Sequence, residues 1–162
     1  MHRKISENDL HFVYGLYMHP QINPYLLYEY MEIEDFMPIF NKLLENGIKY
    51  IFMDELETSV GMFKLFPWTY RASHIAYLGG LAIHPAFVGK GFGKKMMEEI
   101  IDLANQQGYK RIELSVATEN LKAVELYKKM GFEVEGTMRN YTYLKQEGRF
   151  MDEFLMSYIK VE

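Results

Sequence analysis

Leu81-Ala82-Ile83-His84-Pro85-Ala86-Phe87-Val88-Gly89-Lys90-Gly91-Phe92-Gly93-Lys94 is the stretch whose reading decides the fold. It joins an apolar strand to an amphipathic helix through glycines at alternate positions. The backbone can therefore turn tightly and present successive N–H groups without Cβ obstruction. Such a turn is an anion cradle. The helix that follows adds the positive end of its dipole, and Lys90, Lys94 and Lys95 add charge near the same point, so a diphosphate fits physically. The spacing is neither GxxxxGK[ST] nor GxGxxG with an acidic residue about 20 positions on, which excludes the two commonest nucleotide loops.

Working outward, His74 to Ile83 reads as a strand interrupted by Gly79-Gly80, and paired glycines inside a strand signal a bulge or a close backbone approach. Downstream, Met96, Met97, Ile100, Ile101 and Ala104 fall at helical spacing, which predicts a helix over 93–107 closed by Gly108. Ile112, Leu114 and Val116 then alternate with Arg111, Glu113 and Ser115, the mark of a strand. Asn120 is placed to cap a helix running to about Met130, which Gly131 ends. Two last strands, from Glu133 through Tyr143 and from Phe150 to Ile159, flank the turn Lys145-Gln146-Glu147-Gly148. On the N-terminal side, Ser6 or Asn8 can cap a helix through about Met18, and a second helix is expected from Ile33 to Glu45, ending near Gly47. Lys49 to Met53 and Ser59 to Phe66 form a hairpin around the polar turn Asp54 to Thr58. The outcome is a mixed α/β sheet with several hairpins.

The length of 162 residues fits one domain spanning 1–162, and hydrophobic and charged fractions of 49% and 25% are those of a folded chain. With no cysteine there is no disulfide, thiolate ligand or cysteine nucleophile. The five histidines, at 2, 11, 19, 74 and 84, show no HxxxH or HxH spacing, so no metal is expected. The charged start Met1-His2-Arg3-Lys4 is followed by no signal-like apolar stretch, and no run reaches the length of a membrane span. The chain reads as cytoplasmic. Its net charge of −4 argues against nucleic acid as a partner.

Val88-Gly89-Lys90-Gly91-Phe92-Gly93, with His84-Pro85 ahead of it, resembles the acyl-CoA motif [Q/R]xxGxG/A of the GNAT superfamily. Val88 departs from the family's usual Gln or Arg. A second segment, Asn120-Leu121-Lys122-Ala123-Val124-Glu125-Leu126-Tyr127-Lys128-Lys129-Met130-Gly131-Phe132, is similar to the family's NxxAxxLYxxxGF. The resemblance covers about Tyr77 to Tyr158. It implies an α/β fold with a mixed, mostly antiparallel twisted sheet, a splayed central strand pair and flanking helices. It implies acetyl-CoA as cosubstrate, no metal, and direct acetyl transfer to a primary amine. Leu81, Ala82 and Ile83 would offer main-chain groups to the pantetheine arm. Val88, Gly89, Lys90, Gly91, Phe92, Gly93 and Lys94 would hold the pyrophosphate, and Asn120 would contact the cofactor arm. Tyr127 would sit near the thioester sulfur as the general acid. On residue chemistry alone, Asn120 is a helix cap and Tyr127 equally a core residue.

In many relatives by resemblance a Glu lies six residues before the position of Ile83, and here that position is Tyr77. His74, otherwise a strand-end surface residue, and Glu113, otherwise solvent-facing, are the other candidates for a base acting through water. The chain end, Glu135-Gly136-Thr137-Met138-Arg139-Asn140 followed by Gly148-Arg149-Phe150-Met151-Asp152-Glu153, resembles the branch that holds ribosomal-protein, polyamine and amino-acid N-acetyltransferases. The acceptor implied is a small-molecule amine, such as an amino acid or polyamine, or a peptide amine at a protein N-terminus. Tyr28, Glu29, Tyr30, Trp68, Tyr70 and Glu153 are candidates to line its pocket or attract an ammonium group. A non-catalytic acyl-CoA-binding module is the alternative, given Tyr77, and a homodimer is compatible with either.

Overall fold

A computed structural model describes residues 1–162. The chain runs β1 (His2–Lys4), α1 (Leu10–Tyr17), α2 (Ile33–Asn46), β2 (Lys49–Met53), β3 (Ser59–Pro67), β4 (Ile75–Ile83), α3 (Phe92–Gln106), β5 (Arg111–Ala117), α4 (Leu121–Lys129), β6 (Glu133–Leu144) and β7 (Arg149–Ile159). Short 3₁₀ turns lie at Glu7–Asp9, Asn23–Tyr25, Tyr70–Ala72 and Pro85–Phe87. The strands follow the order β1-β2-β3-β4-β5-β7-β6 in a seven-stranded sheet. The pairs β1–β2, β2–β3, β5–β7 and β6–β7 are antiparallel, and β4–β5 is parallel. The mixed, mostly antiparallel sheet expected from the sequence is therefore present. Parallel pairing joins Ile75, Ala76 and Tyr77 to Arg111, Ile112 and Glu113 and ends there, although β4 continues to Ile83 and β5 to Ala117.

The chain divides into two compact units, Met1–Leu65 with Gly80–Phe92, and Phe66–Gly79 with Gly93–Glu162. In the first, Val13, Leu16 and Tyr17 of α1 and Phe36 and Phe40 of α2 cluster with Ile51, Met62 and Ala82. Gly47, at φ +62°, ends α2 in the left-handed conformation. The turn of the β2–β3 hairpin is set by Asp54, whose Oδ1 accepts from the amides of Leu56 and Thr58, each at 2.9 Å. In the second unit, α3 buries Met96, Met97, Ile100 and Ala104, and β5 buries Ile112, Leu114 and Val116 as its alternation requires.

Two features lie outside the sequence expectations. β1 is a strand, held by pairing of His2, Arg3 and Lys4 with Phe52, Ile51 and Tyr50. The first helix starts at Leu10 and stops at Tyr17, because residues Glu7–Asp9 wind as 3₁₀ and Asp9 turns back to accept from the Ser6 amide at 2.7 Å.

The ring of Phe36 has no exposed surface and lies 5.5 to 6.3 Å from the rings of Tyr14, Tyr17, Tyr28 and Phe40. Phe36→Ala is expected to lower unfolding free energy by about 3–5 kcal/mol in urea titration, as cavity formation in a packed core does. Leu27→Ala, at a side chain 75% exposed, should stay within about 0.5 kcal/mol. Equal effects of the two would refute this placement of the core.

Candidate functional site

The glycine loop hangs from the end of β4. Gly80 stands at φ +53°, and a Cβ there would lie 2.6 Å from Lys49 Nζ and 2.7 Å from Tyr17 Oη. The close backbone approach expected of the paired glycines thus falls on Gly80. Beyond it the His84 amide donates to Val60 O at 2.8 Å, and His84 Nδ1 accepts from the Ala86 amide at 3.1 Å, which starts the 3₁₀ turn. An aromatic base supports the loop: Phe87 packs edge-on against His84 and Phe92, and Phe92 against Phe52, with centroids 5.8 to 6.4 Å apart.

Gly89 and Gly91 both have φ +81°, with no atom within 4 Å of where a Cβ would be. Left-handed residues alternating with ordinary ones turn consecutive amides to one side, and here the concavity is open. Lys90 extends over the Phe87 ring at 5.7 Å. Val88 is 54% exposed, so the residue at the family's Gln/Arg position offers no polar group. α3 begins at Phe92, and its fifteen residues give the loop a full helix dipole to end against. Gly93 does different work: its Cβ would come within 3.2 Å of Leu126 Cδ2, so it lets α3 and α4 pack closely.

Asn120 occupies the N-cap position of α4, but its side chain makes no capping hydrogen bond. The expected Asx cap is therefore absent. The helix is started instead by main-chain bonds, Asn120 N to Ala117 O at 3.0 Å and Val124 N to Asn120 O at 3.1 Å, and these leave the Asn120 amide group uncommitted. Tyr127 is 7% exposed and packs on Phe132 at 6.0 Å. Burial pushes its phenol well above the ordinary range, and no hydrogen bond within the protein engages its hydroxyl. Phe132 is fixed in turn by its amide, which donates to Tyr127 O at 2.9 Å.

Tyr77 and Glu113 sit side by side in the parallel register. Tyr77 Oη is 3.1 Å from Ser115 Oγ, and its ring packs against Phe66 and Trp68 at 5.4 and 5.5 Å. Burial raises the Tyr77 phenol, helped by Tyr141, Glu153 and Glu113 and opposed by the Ser115 bond. At neutral pH this phenol keeps its proton, so it cannot replace a carboxylate base. Glu113, read from sequence as solvent-facing, is only 17% exposed at its side chain. It accepts from Arg111 Nε at 3.0 Å and from Trp68 Nε1 at 2.9 Å, because the strand period places Arg111 on the same face. His74 is exposed at the start of β4, as expected of a strand-end residue. Tyr70, at 91% exposure, projects into solvent. Tyr28 is part of the first unit's core, 4.9 Å from Tyr17, while Glu29 and Tyr30 are exposed beside it.

No cluster of three or more His, Asp or Glu is arranged to hold a metal ion, and no helix is long and apolar enough to cross a membrane. The model of the Acetyltransferase (GNAT) family matches residues 10–132. Over 91 residues, 56% of this chain, there is 34% identity to an L-amino acid N-acetyltransferase of Escherichia coli, of whose length the match spans about half, 54%. A spermidine N(1)-acetyltransferase of Vibrio cholerae is 27% identical over 93% of this chain and 87% of its own. Among solved structures, the spermidine N-acetyltransferase from Vibrio cholerae in complex with CoA and spermine superimposes with a TM-score of 0.86 at 25% identity, covering 98% of this chain and 94% of that one. A phosphinothricin acetyltransferase from Sinorhizobium meliloti in complex with AcCoA shares the fold, with a TM-score of 0.78 at 20% identity over 98% of this chain and 87% of its own. The family model spans well over half of the sequence and the fold agrees with it, so the chain belongs to the acetyltransferase (GNAT) family.

Proposed function

We propose that this protein is an N-acetyltransferase that moves the acetyl group of acetyl-CoA directly onto a primary amine. The observation that carries the reading is the pair of left-handed glycines, Gly89 and Gly91, opening at the head of α3 in a chain of this family. In the first unit, Leu81, Ala82 and Ile83 are assigned to the pantetheine arm and Val88, Gly89, Lys90, Gly91 and Phe92 to the pyrophosphate. In the second, Gly93 and Lys94, in the first turn of α3, are assigned to the pyrophosphate, and Asn120 and Tyr127 to the arm and its thioester end. The cosubstrate supplies an acetyl group activated as a thioester. The protein supplies amides for the phosphates, an uncommitted Asn120 side chain and a protonated phenol.

Tyr127 is assigned as the general acid. Burial keeps its proton on Oη throughout the physiological range, so it enters as a donor, and a hydroxyl with no internal partner has a hydrogen bond to give. No base is assigned, since Tyr77 is held protonated and Glu113 is paired with Arg111. The acceptor is a small-molecule amine or a peptide N-terminus; relatives named for amino acids, spermidine and ribosomal-protein alanine support that class. The reading also takes residues 1–162 as one cytoplasmic domain, without nucleic-acid or membrane partners and free to form a homodimer. A family match that runs through segments of both units supports the single domain.

Calorimetry is expected to show one acetyl-CoA per chain, and a panel of amines should give acceptor-dependent thiol release. Binding without release for every amine would instead establish a binding module. Gly91→Val forces a branched residue to φ +81°, so cofactor affinity should fall by about tenfold or more while circular dichroism stays folded. Unchanged affinity would place the phosphates elsewhere.

Tyr127→Phe keeps the ring packing and removes only the donor. Turnover should fall by about 10²-fold while acetyl-CoA affinity and melting temperature hold. A rate within about threefold of wild type, with chemistry limiting, would remove Tyr127 from the mechanism.

A further inference from the structure

Lys49 is the one lysine with no exposed surface, and neither of its hydrogen-bond partners is a carboxylate. Its Nζ bonds Tyr17 Oη at 2.8 Å and donates to Gly80 O at 2.8 Å, and it lies 4.6 Å from the Tyr17 ring centroid. Buried lysines are rare because an ammonium needs water or an anion. This one has a phenol, a carbonyl and, directly across the β2–β3 ladder, Lys64. An ammonium would bring three donors to two acceptors. A neutral amine has two N–H groups, one for Gly80 O and one for Tyr17 Oη, which matches donors to acceptors.

The position of the amine is as informative as its charge. A side chain on Gly80 would occupy the space that Lys49 Nζ and Tyr17 Oη fill, and Gly80 is left-handed at φ +53°. Glycine, lysine and tyrosine thus form one lock on the backbone of β4, immediately before Leu81, Ala82 and Ile83. We propose that Lys49 is a positioning residue: its side chain fixes the Gly80 turn and, resting on the function proposed above, thereby sets the main-chain groups of Leu81 to Ile83 that receive the pantetheine arm. It touches no reacting atom.

Burial holds the Lys49 amine well below the ordinary lysine value, and Lys64 adds repulsion. The facing titratable groups are Tyr17 from α1, itself pushed up by burial and by Tyr28, and Lys64 from β3. Free lysine titrates near about 10.4. Between the depressed folded value and that one, the unfolded chain binds a proton that the folded chain does not, so this residue makes stability rise with pH across the window. Lys49→Met should remove that part of the slope.

The test uses the full chain with Lys49→Met and Tyr17→Phe. In folded Lys49→Met, the amide resonances of Gly80, Leu81, Ala82 and Ile83 should shift and acetyl-CoA affinity should weaken by about tenfold or more, with the KM for acetyl-CoA rising more than kcat falls. Because the chain has no cysteine, Lys49→Cys carries a single thiol. Alkylating it in denaturant with bromoethylamine and refolding restores an amine at the same reach and should recover affinity; a propyl group should not. If Lys49→Met does not fold, Tyr17→Phe, which keeps the ring, should show the same shifts and a smaller loss. A lower melting temperature with unchanged affinity and unshifted amides would reduce Lys49 to a structural role and overturn the proposal. Wild-type protein that fails to bind acetyl-CoA would strike the proposed function instead, and the amide shifts would still decide whether Lys49 sets the β4 turn.

Discussion

The turn of β4 at Gly80 is the constraint on which the rest depends. The parallel ladder ends at Tyr77, and three residues later the backbone takes up a left-handed conformation against an amine and a phenol that fill the space of a side chain. A strand residue at this positive φ is best a glycine, and its carbonyl here accepts from a side chain. Lys49 supplies that donor from the neighbouring element, and Tyr17 caps the lysine from α1. The glycine loop then follows from a fixed point, braced by Phe87, Phe92 and Phe52.

Burial has the same electrostatic effect on three tyrosines, and their partners make them different. Tyr17, Tyr77 and Tyr127 are all pushed upward by desolvation and keep their protons. Tyr17 spends its hydroxyl on Lys49, and Tyr77 shares its own with Ser115. Tyr127 alone among them has a hydroxyl with no partner in the protein. The fully buried side-chain polar atom without a partner is Thr142 Oγ1, so the Tyr127 hydroxyl keeps some contact with solvent. Asn120 repeats the pattern one helix end away: at a position where its side chain would ordinarily cap, it does not.

The acceptor side follows a different logic. Where a carboxylate base would be expected, Tyr77 is surrounded by Phe66, Trp68 and the half-buried Glu153, and Glu113 accepts hydrogen bonds from Arg111 and Trp68. The Tyr77 phenol keeps its proton there, and both Glu113 oxygens are engaged by N–H donors. On the function proposed above, Tyr127 delivers a proton to the leaving group and neither Tyr77 nor Glu113 is assigned as the base.

Local pattern was enough for most of the elements and for the family. Helical spacing in α3, alternation in β5, and glycines at the ends of α2, α3 and α4 are properties of neighbouring residues, and each fell within one or two positions of where it was expected. The glycine loop and the α4 segment were legible for the same reason, since their geometry is written in consecutive residues. Tertiary structure alone decided what depends on distant partners. β1 is three residues long, too short for any period, and exists by pairing with β2. The sequence shows β6 and β7 as a hairpin, but only packing places β7 inside, where Met151, Met156 and Ser157 are buried, and leaves β6 at the edge. Glu113 looked solvent-facing because Trp68 lies 45 residues away in the chain. Lys49 looked like an ordinary strand residue because the phenol and carbonyl that make burial tolerable come from residues 32 and 31 positions distant. Sequence fixes local backbone preference within a few residues; burial, charge state and the pairing of polar groups are set by what the fold brings alongside.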